Sequence, residues 1–173
     1  MSRAARLDLR SFQQELATRL ASKTAAQVES SRLGLACGNE RWLIRLADAS
    51  EVIAVPPIVT VPLTQKWFLG LANIRGNLCS VIDFPAFLGG APVAAGGLAR
   101  LILLAARGSE QNAGIVVERV LGLRNLAQFK PVEVGATGPS WHVTKWQDDG
   151  AVTWQEIDLG KLARDPAFLQ VGA

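Results

Sequence analysis

From Leu33 to Ile157 short apolar segments alternate with turn residues, the pattern of a small all-β domain. Leu33, Leu35 and Cys37 alternate with smaller or polar positions, Gly38-Asn39 supplies a turn, and Trp42, Ile44 and Leu46 alternate again, which predicts a hairpin. Ser50–Val55 runs into Pro56-Pro57, whose missing N–H groups end a strand or confine it to an edge. Trp67–Ile74 and Leu78–Phe84 flank Arg75-Gly76-Asn77 and read as two strands around a tight turn. Further strands are predicted at Leu101–Ala106, Gly114–Val117, Trp141–Trp146 and Val152–Ile157, the last pair joined at Asp149-Gly150. Gly89–Gly97 and Arg124–Pro139 carry no such period and are expected to be surface loops.

Residues 1–30 are patterned differently. Leu9, Phe12, Leu16 and Leu20 recur at helical spacing, and Ser11 with Gln14 forms a capping-box signal, so a helix is predicted from about Phe12 into the Ala25 region. This N-terminal helical extension, 1–30, precedes the main domain, 31–173. Its apolar stripe suits packing on the body of the domain; a separate docking arm and a membrane-surface helix are the alternatives, the latter diluted by Asp8, Glu15 and Glu29.

Two short echoes point to related halves. Val81-Ile82-Asp83-Phe84 and Glu156-Ile157-Asp158-Leu159 each end an apolar strand in an aspartate placed to cap a short helical turn. Glu51-Val52-Ile53 is similar to Arg119-Val120-Leu121.

Composition narrows the class. With 173 residues, 49% hydrophobic and 19% charged, the chain can bury a substantial core as one domain or two intimately joined halves. The net charge of +3 comes from 18 Lys and Arg residues dispersed along the chain, weak grounds for nucleic acid. Cys37 and Cys79 are far apart among apolar neighbours, so buried thiols in a reducing compartment are expected, with neither a disulfide framework nor a metal cluster. No apolar h-region follows the N-terminal Met-Ser-Arg-Ala-Ala-Arg, and Leu101–Ala106 is far too short to span a bilayer, so a cytoplasmic protein with no membrane insertion is expected.

Candidate chemistry is sparse. His142 is the sole histidine and tyrosine is absent, which removes most acid–base and nucleophile partnerships, although a Cys–His pair stays open. Asp83 and Asp158 match cap positions better than a catalytic pair. No phosphate-binding glycine motif occurs, so neither nucleotide nor other cofactor is expected. Trp42, Trp67, Trp141, Trp146 and Trp154 could stack on single strands, but their strand patterns assign most of them to the core. Arg75 stands apart, because a guanidinium on so short a loop can tie that loop together, present donors to a partner, or both.

Trp67 through Phe84, and above all Gly70-Leu71-Ala72-Asn73-Ile74-Arg75-Gly76 followed by Val81-Ile82-Asp83-Phe84, closely resembles the most distinctive stretch of CheW-like domains. The resemblance extends over Ala49–Ile53 with the Pro56-Pro57-Ile58 turn, over Ala113–Glu118 and over Trp154–Leu162, or roughly Leu33 to Leu162. The helical extension and the Trp67–Asn73 sequence are most similar to CheW-like proteins of type IV pilus (twitching motility) chemosensory systems. This resemblance implies a mainly β fold of two five-stranded SH3-like barrel subdomains sharing an apolar seam, the first about 31–73 plus 152–165 and the second about 74–151.

It further implies a non-enzymatic adaptor that couples a chemoreceptor's cytoplasmic tip to the regulatory domain of a histidine kinase in membrane-bound receptor arrays. Carried over by position, Asn73, Arg75, Ile102 and Ala113 would face the receptor, and Ala49, Glu51 and Val52 the kinase. Ser80 stands where many relatives have proline, and Ala49 is smaller than the usual valine. Two other readings compete: a nucleic-acid-binding small β-barrel, whose affinity would fall steeply with salt, and an enzyme built on His142 and a thiol.

Overall fold

The computed structural model describes residues 29–94, 96–105, 112–132 and 138–173. Only Glu29 and Ser30 of the N-terminal extension fall among them, both helical, and the helix expected from Phe12 lies outside the described residues. Among the described residues eleven strands follow: β1 (Ser31–Cys37), β2 (Glu40–Arg45), β3 (Ala49–Ala54), β4 (Phe68–Ile74), β5 (Asn77–Asp83), β6 (Arg100–Leu104), β7 (Ala113–Val117), β8 (Arg119–Asn125), β9 (Lys130–Val132), β10 (His142–Gln147) and β11 (Thr153–Ile157). Three one-turn helices are described, α1 (Phe84–Phe87), α2 (Leu159–Leu162) and α3 (Pro166–Leu169).

The strands form two sheets, one in the order β8-β1-β2-β11-β10-β9 and the other β3-β6-β7-β5-β4. The fold is therefore mainly β in two halves, as expected, with six strands in one half and five in the other. The division along the chain is corrected. A boundary at 73/74 would cut the β4–β5 hairpin, whose residues pair one by one from Phe68↔Ile82 to Ile74↔Asn77. Instead β3 and β4 belong to the second sheet, and β8, β9 and β10 return to the first. Arg124–Pro139, expected to be a loop, holds β9 and the end of β8, and no strand is predicted at Arg119–Leu123. β8 runs to Asn125 with a half-exposed, non-alternating pattern, and β9 contains Pro131 at a sheet edge.

Period-2 burial on these strands builds a seam. Leu33, Leu35, Trp42, Ile44 and Ile157 from the six-stranded sheet meet Ile82, Ile102, Ile115 and Val117 from the five-stranded one in a single buried cluster, closed by Phe84, Trp141, Leu162 and Phe168. The five-stranded sheet packs its other face on a second cluster of Ala72, Val81, Ala99, Leu101 and Val116. The corresponding face of the six-stranded sheet is partly polar. There Glu156 is buried and accepts from Arg32 Nε at 2.6 Å and from Trp146 Nε1 at 2.7 Å, so the charge is paired and its oxygens are bonded.

The two halves repeat one design. In each, two antiparallel pairs, a parallel pair and another antiparallel pair follow in the same order, with β8, β1, β2, β11 and β10 matching β3, β6, β7, β5 and β4. β9 pairs Val132 with Lys145 on β10, as Val59 bridges Leu71 on β4. Register shifts fall at His142/Thr144 and at Phe68/Gly70. Asp83 caps α1 by accepting from Ala86 N–H at 2.9 Å, and Asp158 caps α2 by accepting from Lys161 N–H at 2.9 Å. Their own N–H groups donate to the carbonyls of Trp67 and Trp141. The Asp83/Asp158 echo in the sequence thus marks a true equivalence. The Glu51–Ile53 echo is out of register, since the ladders match Val52, paired with Ile102, to Leu123, paired with Leu33.

Gly70 closes the five-stranded half. Its φ is +130°, and a Cβ there would lie 2.1 Å from the Val59 carbonyl oxygen, backbone that exchanges hydrogen bonds with Leu71. Gly70→Ala is expected to cost about 2–4 kcal/mol of unfolding free energy, because strained φ and backbone overlap add. Urea denaturation measures it, and a loss within ~0.5 kcal/mol would contradict this closure.

Candidate partner-binding cleft

The β4–β5 hairpin presents the candidate arginine. Ile74 pairs with Asn77, leaving Arg75 and Gly76 as the turn, with φ of +53° and +87°. Positive φ at both central positions matches the right-handed twist of the flanking strands. Glycine adopts it freely, whereas for Arg75 the left-handed region costs about 1 kcal/mol. The Asn73 side-chain oxygen accepts from Gly76 N–H at 2.8 Å and fixes the turn.

Arg75 reaches from this turn across the end of the sheet and donates from Nη2 to Glu51 Oε1 at 2.6 Å. The guanidinium side chain is 75% exposed and the carboxylate side chain 31%, so screening by water leaves the pair worth at most about 1 kcal/mol. Below the pair lies a cleft of about 190 Å³, walled by Ser50, Glu51, Ile74, Arg75, Asn77, Leu103, Leu104, Asn112 and Ala113, with Cys79 among its lining residues. A bulge on β3 makes this possible. Between Ala49↔Leu104 and Glu51↔Leu103 the strand carries an extra residue, Ser50, so that Ser50 and Glu51 both border the cleft.

The residues expected to face partners are only partly gathered here. Arg75, Glu51 and Ala113 meet at the cleft, and Asn73 supports its turn. Ile102 has no exposed surface and belongs to the seam, so its side chain cannot touch a partner; it backs Val52 across the β3–β6 ladder. Val52 is 39% exposed, and Ala49 is half-buried against the seam. The expected receptor and kinase surfaces are therefore joined by one ion pair, Glu51 belonging to one set and Arg75 to the other. Ser50, Leu103, Leu104, Cys79 and Asn112 were missed. Leu101-Ile102-Leu103-Leu104 is a continuous apolar run, so alternation gave no sign of which of them face the cleft.

The other chemistry resolves structurally. Burial, then Glu118, Glu40 and Asp83, push the Cys37 thiol far up, and burial raises Cys79, so neither supplies a thiolate near neutrality. His142 is pushed down by burial and Lys145, which keeps it neutral at pH 7, and its ring packs on Trp42 at 5.8 Å. No cluster of three or more His, Cys, Asp or Glu able to hold a metal exists among the described residues. Trp42, Trp141 and Trp154 are buried, which removes three of the five indoles that prompted the nucleic-acid reading.

The strand order with its two parallel crossovers, and the arginine turn beside β3, coincide with a sequence match. The model of the CheW-like domain matches residues 32–166. The chain belongs to the CheW-like domain family. Members of this family are non-enzymatic scaffold proteins. This CheW-like chain is 27% identical over 163 residues to Protein PilI of Pseudomonas aeruginosa, covering 88% of each sequence. It is 25% identical over 100 residues to a probable chemotaxis protein CheW of Rhizobium etli, covering 58% of this chain and 63% of that one. The crystal structure of scaffolding protein TtCheW from Thermoanaerobacter tengcongensis has the same fold, with a TM-score of 0.63 at 20% identity over 75% of this chain and 89% of that one. Among the described residues no helix is long and apolar enough to cross a membrane.

In the six-stranded half the position equivalent to Cys79 holds Trp154, each four residues before its capping aspartate. Trp154 is 2% exposed and lies under two guanidiniums, the Arg41 and Arg124 carbons each 5.4 Å from the ring centroid, with Phe129 edge-on at 5.9 Å. Its indole N–H donates to Asp148 at 2.9 Å. This donor first, then the Val152 and Gly150 amides and Arg41, holds the Asp148 carboxyl below its ordinary 3.8.

Two outcomes are expected. A depressed folded pKa stabilises the fold above 3.8, and that contribution fades as pH falls through the lower folded value; Trp154→Phe removes the donor and should move the Asp148 titration, followed by carboxyl NMR, upward. An unmoved titration would show that the indole bond is not the main cause. Secondly, Arg75→Ala should change unfolding free energy by less than about 1 kcal/mol, since it deletes only a screened pair; a larger loss in urea melts would make Arg75 a structural residue.

Proposed function

We propose that this CheW-like chain is a chemosensory signal-transduction adaptor, coupling the cytoplasmic tip of a methyl-accepting chemoreceptor to the regulatory domain of a histidine kinase. The observation that carries this reading is Arg75 in a strained left-handed turn, held at the rim of a cleft by a pair too exposed to stabilise the fold much. Strain kept without a return in stability is a mark of a functional position. A receptor helix would lay apolar side chains against Ala113 and Leu104, while the remaining donors of Arg75 fix its register. The half-exposed Val52 and its strand neighbours Ala49 and Glu51 would meet the kinase. Because Glu51 pairs with Arg75, receptor and kinase would press on opposite ends of one ion pair.

Likeness to PilI, together with the resemblance of the extension and the Trp67–Asn73 sequence to pilus chemosensory proteins, favours twitching motility as the output. The protein would be cytoplasmic and recruited to membrane-bound receptor arrays through its partners.

Pull-downs of the full chain with a receptor tip and with a kinase regulatory domain test the proposal. Wild type should capture both; Arg75→Ala should lower receptor affinity about tenfold or more, ~1.4 kcal/mol, and leave kinase capture nearly unchanged. Wild type capturing neither partner would defeat the adaptor reading.

A further inference from the structure

We propose that the cleft beneath Arg75 is a socket for one aromatic side chain carried by the helical partner, an inference that deepens the adaptor reading and rests on it. The argument comes from the internal repeat. At equivalent positions, four residues before Asp158 and Asp83, the six-stranded half carries Trp154 and the five-stranded half Cys79. The ladders agree: Trp154 pairs with Trp146 and Cys79 with Ala72, on matching strands.

In the six-stranded half the indole fills this end of the barrel. Gly34 on β1 makes the room, since a Cβ there would lie 3.0 Å from the Trp154 ring, and guanidiniums cover the ring. In the five-stranded half the residue matching Gly34 is Leu103, which recovers part of the lost volume, and the remainder is the open cleft of about 190 Å³. Its features repeat those around Trp154. A guanidinium, Arg75, and a carboxylate, Glu51, border it, as Arg41, Arg124 and Asp148 surround the indole, and Cys79, a sulfur residue suited to an aromatic neighbour, is among its lining residues. What the chain supplies to itself in one half it leaves for a partner to supply in the other.

The test uses the full chain and two small probes, N-acetyl-tryptophanamide and N-acetyl-leucinamide, followed in 1H–15N spectra. The tryptophan probe should shift the amides of Cys79, Leu103 and Ala113 and bind at least about tenfold more tightly than the leucine probe; Arg75→Ala should weaken it. Cys79→Trp, which supplies the ring from within, should abolish the response, and if that variant fails to fold by near-UV circular dichroism, Ala113→Leu narrows the socket from the facing wall instead. Equal response to both probes, or shifts confined to other regions, would overturn the proposal. Capture of the receptor tip without a probe response overturns aromatic recognition and leaves the adaptor standing. A probe response without tip capture upholds the socket and removes the receptor as its source.

Discussion

The apolar seam between the two sheets is the constraint from which the rest follows. Ile82, Ile102 and Ile115 cross the middle of one sheet, and Leu33, Ile44 and Ile157 cross the other; all are within a few per cent of full burial. Because side chains alternate along a strand, sending these residues to the seam sends their neighbours to the opposite face. Val81, Leu101 and Val116 thereby line the interior of the five-stranded half, and Arg32, Trp154 and Glu156 that of the six-stranded half. A one-residue slip in β5, β6 or β7 would exchange the residues of the two buried clusters.

The two halves then diverge in how they use the same frame. The six-stranded half fills its interior with indoles and a bonded Arg32–Glu156 pair, in which both oxygens of the buried carboxylate accept hydrogen bonds. The five-stranded half has Ala72 and Cys79 at the equivalent end, which is left open under a screened ion pair. The ring that fills one half is thus matched by an open cleft in the other.

The Arg75 turn shows how little energy separates a binding feature from a structural one. Its backbone conformation costs about as much as its ion pair returns. Asn73, by bonding Gly76, keeps the turn whether or not the pair is formed, so the guanidinium can leave Glu51 without unravelling the hairpin. The ordinary reason to keep an arginine where glycine is easier is a contact made outside the chain.

Local chemistry was readable from the residues alone. Alternation located the hairpins, Pro56-Pro57 ended β3, the aspartates of the paired Ile-Asp segments announced helix caps, and the segment around Arg75 carried the family. Alternation failed for β8 and β9, edge strands whose side chains are half-exposed or exposed on both faces and so leave no period. What only the tertiary structure decided depends on which strands lie side by side: that β3 and β4 join the second sheet, that Ile102 faces the seam, and that Glu51 meets Arg75 from 24 positions away. Sequence fixes the order of faces along each strand, because the pleat has a period of two, but register and closure between distant strands are set by the packing of the whole core.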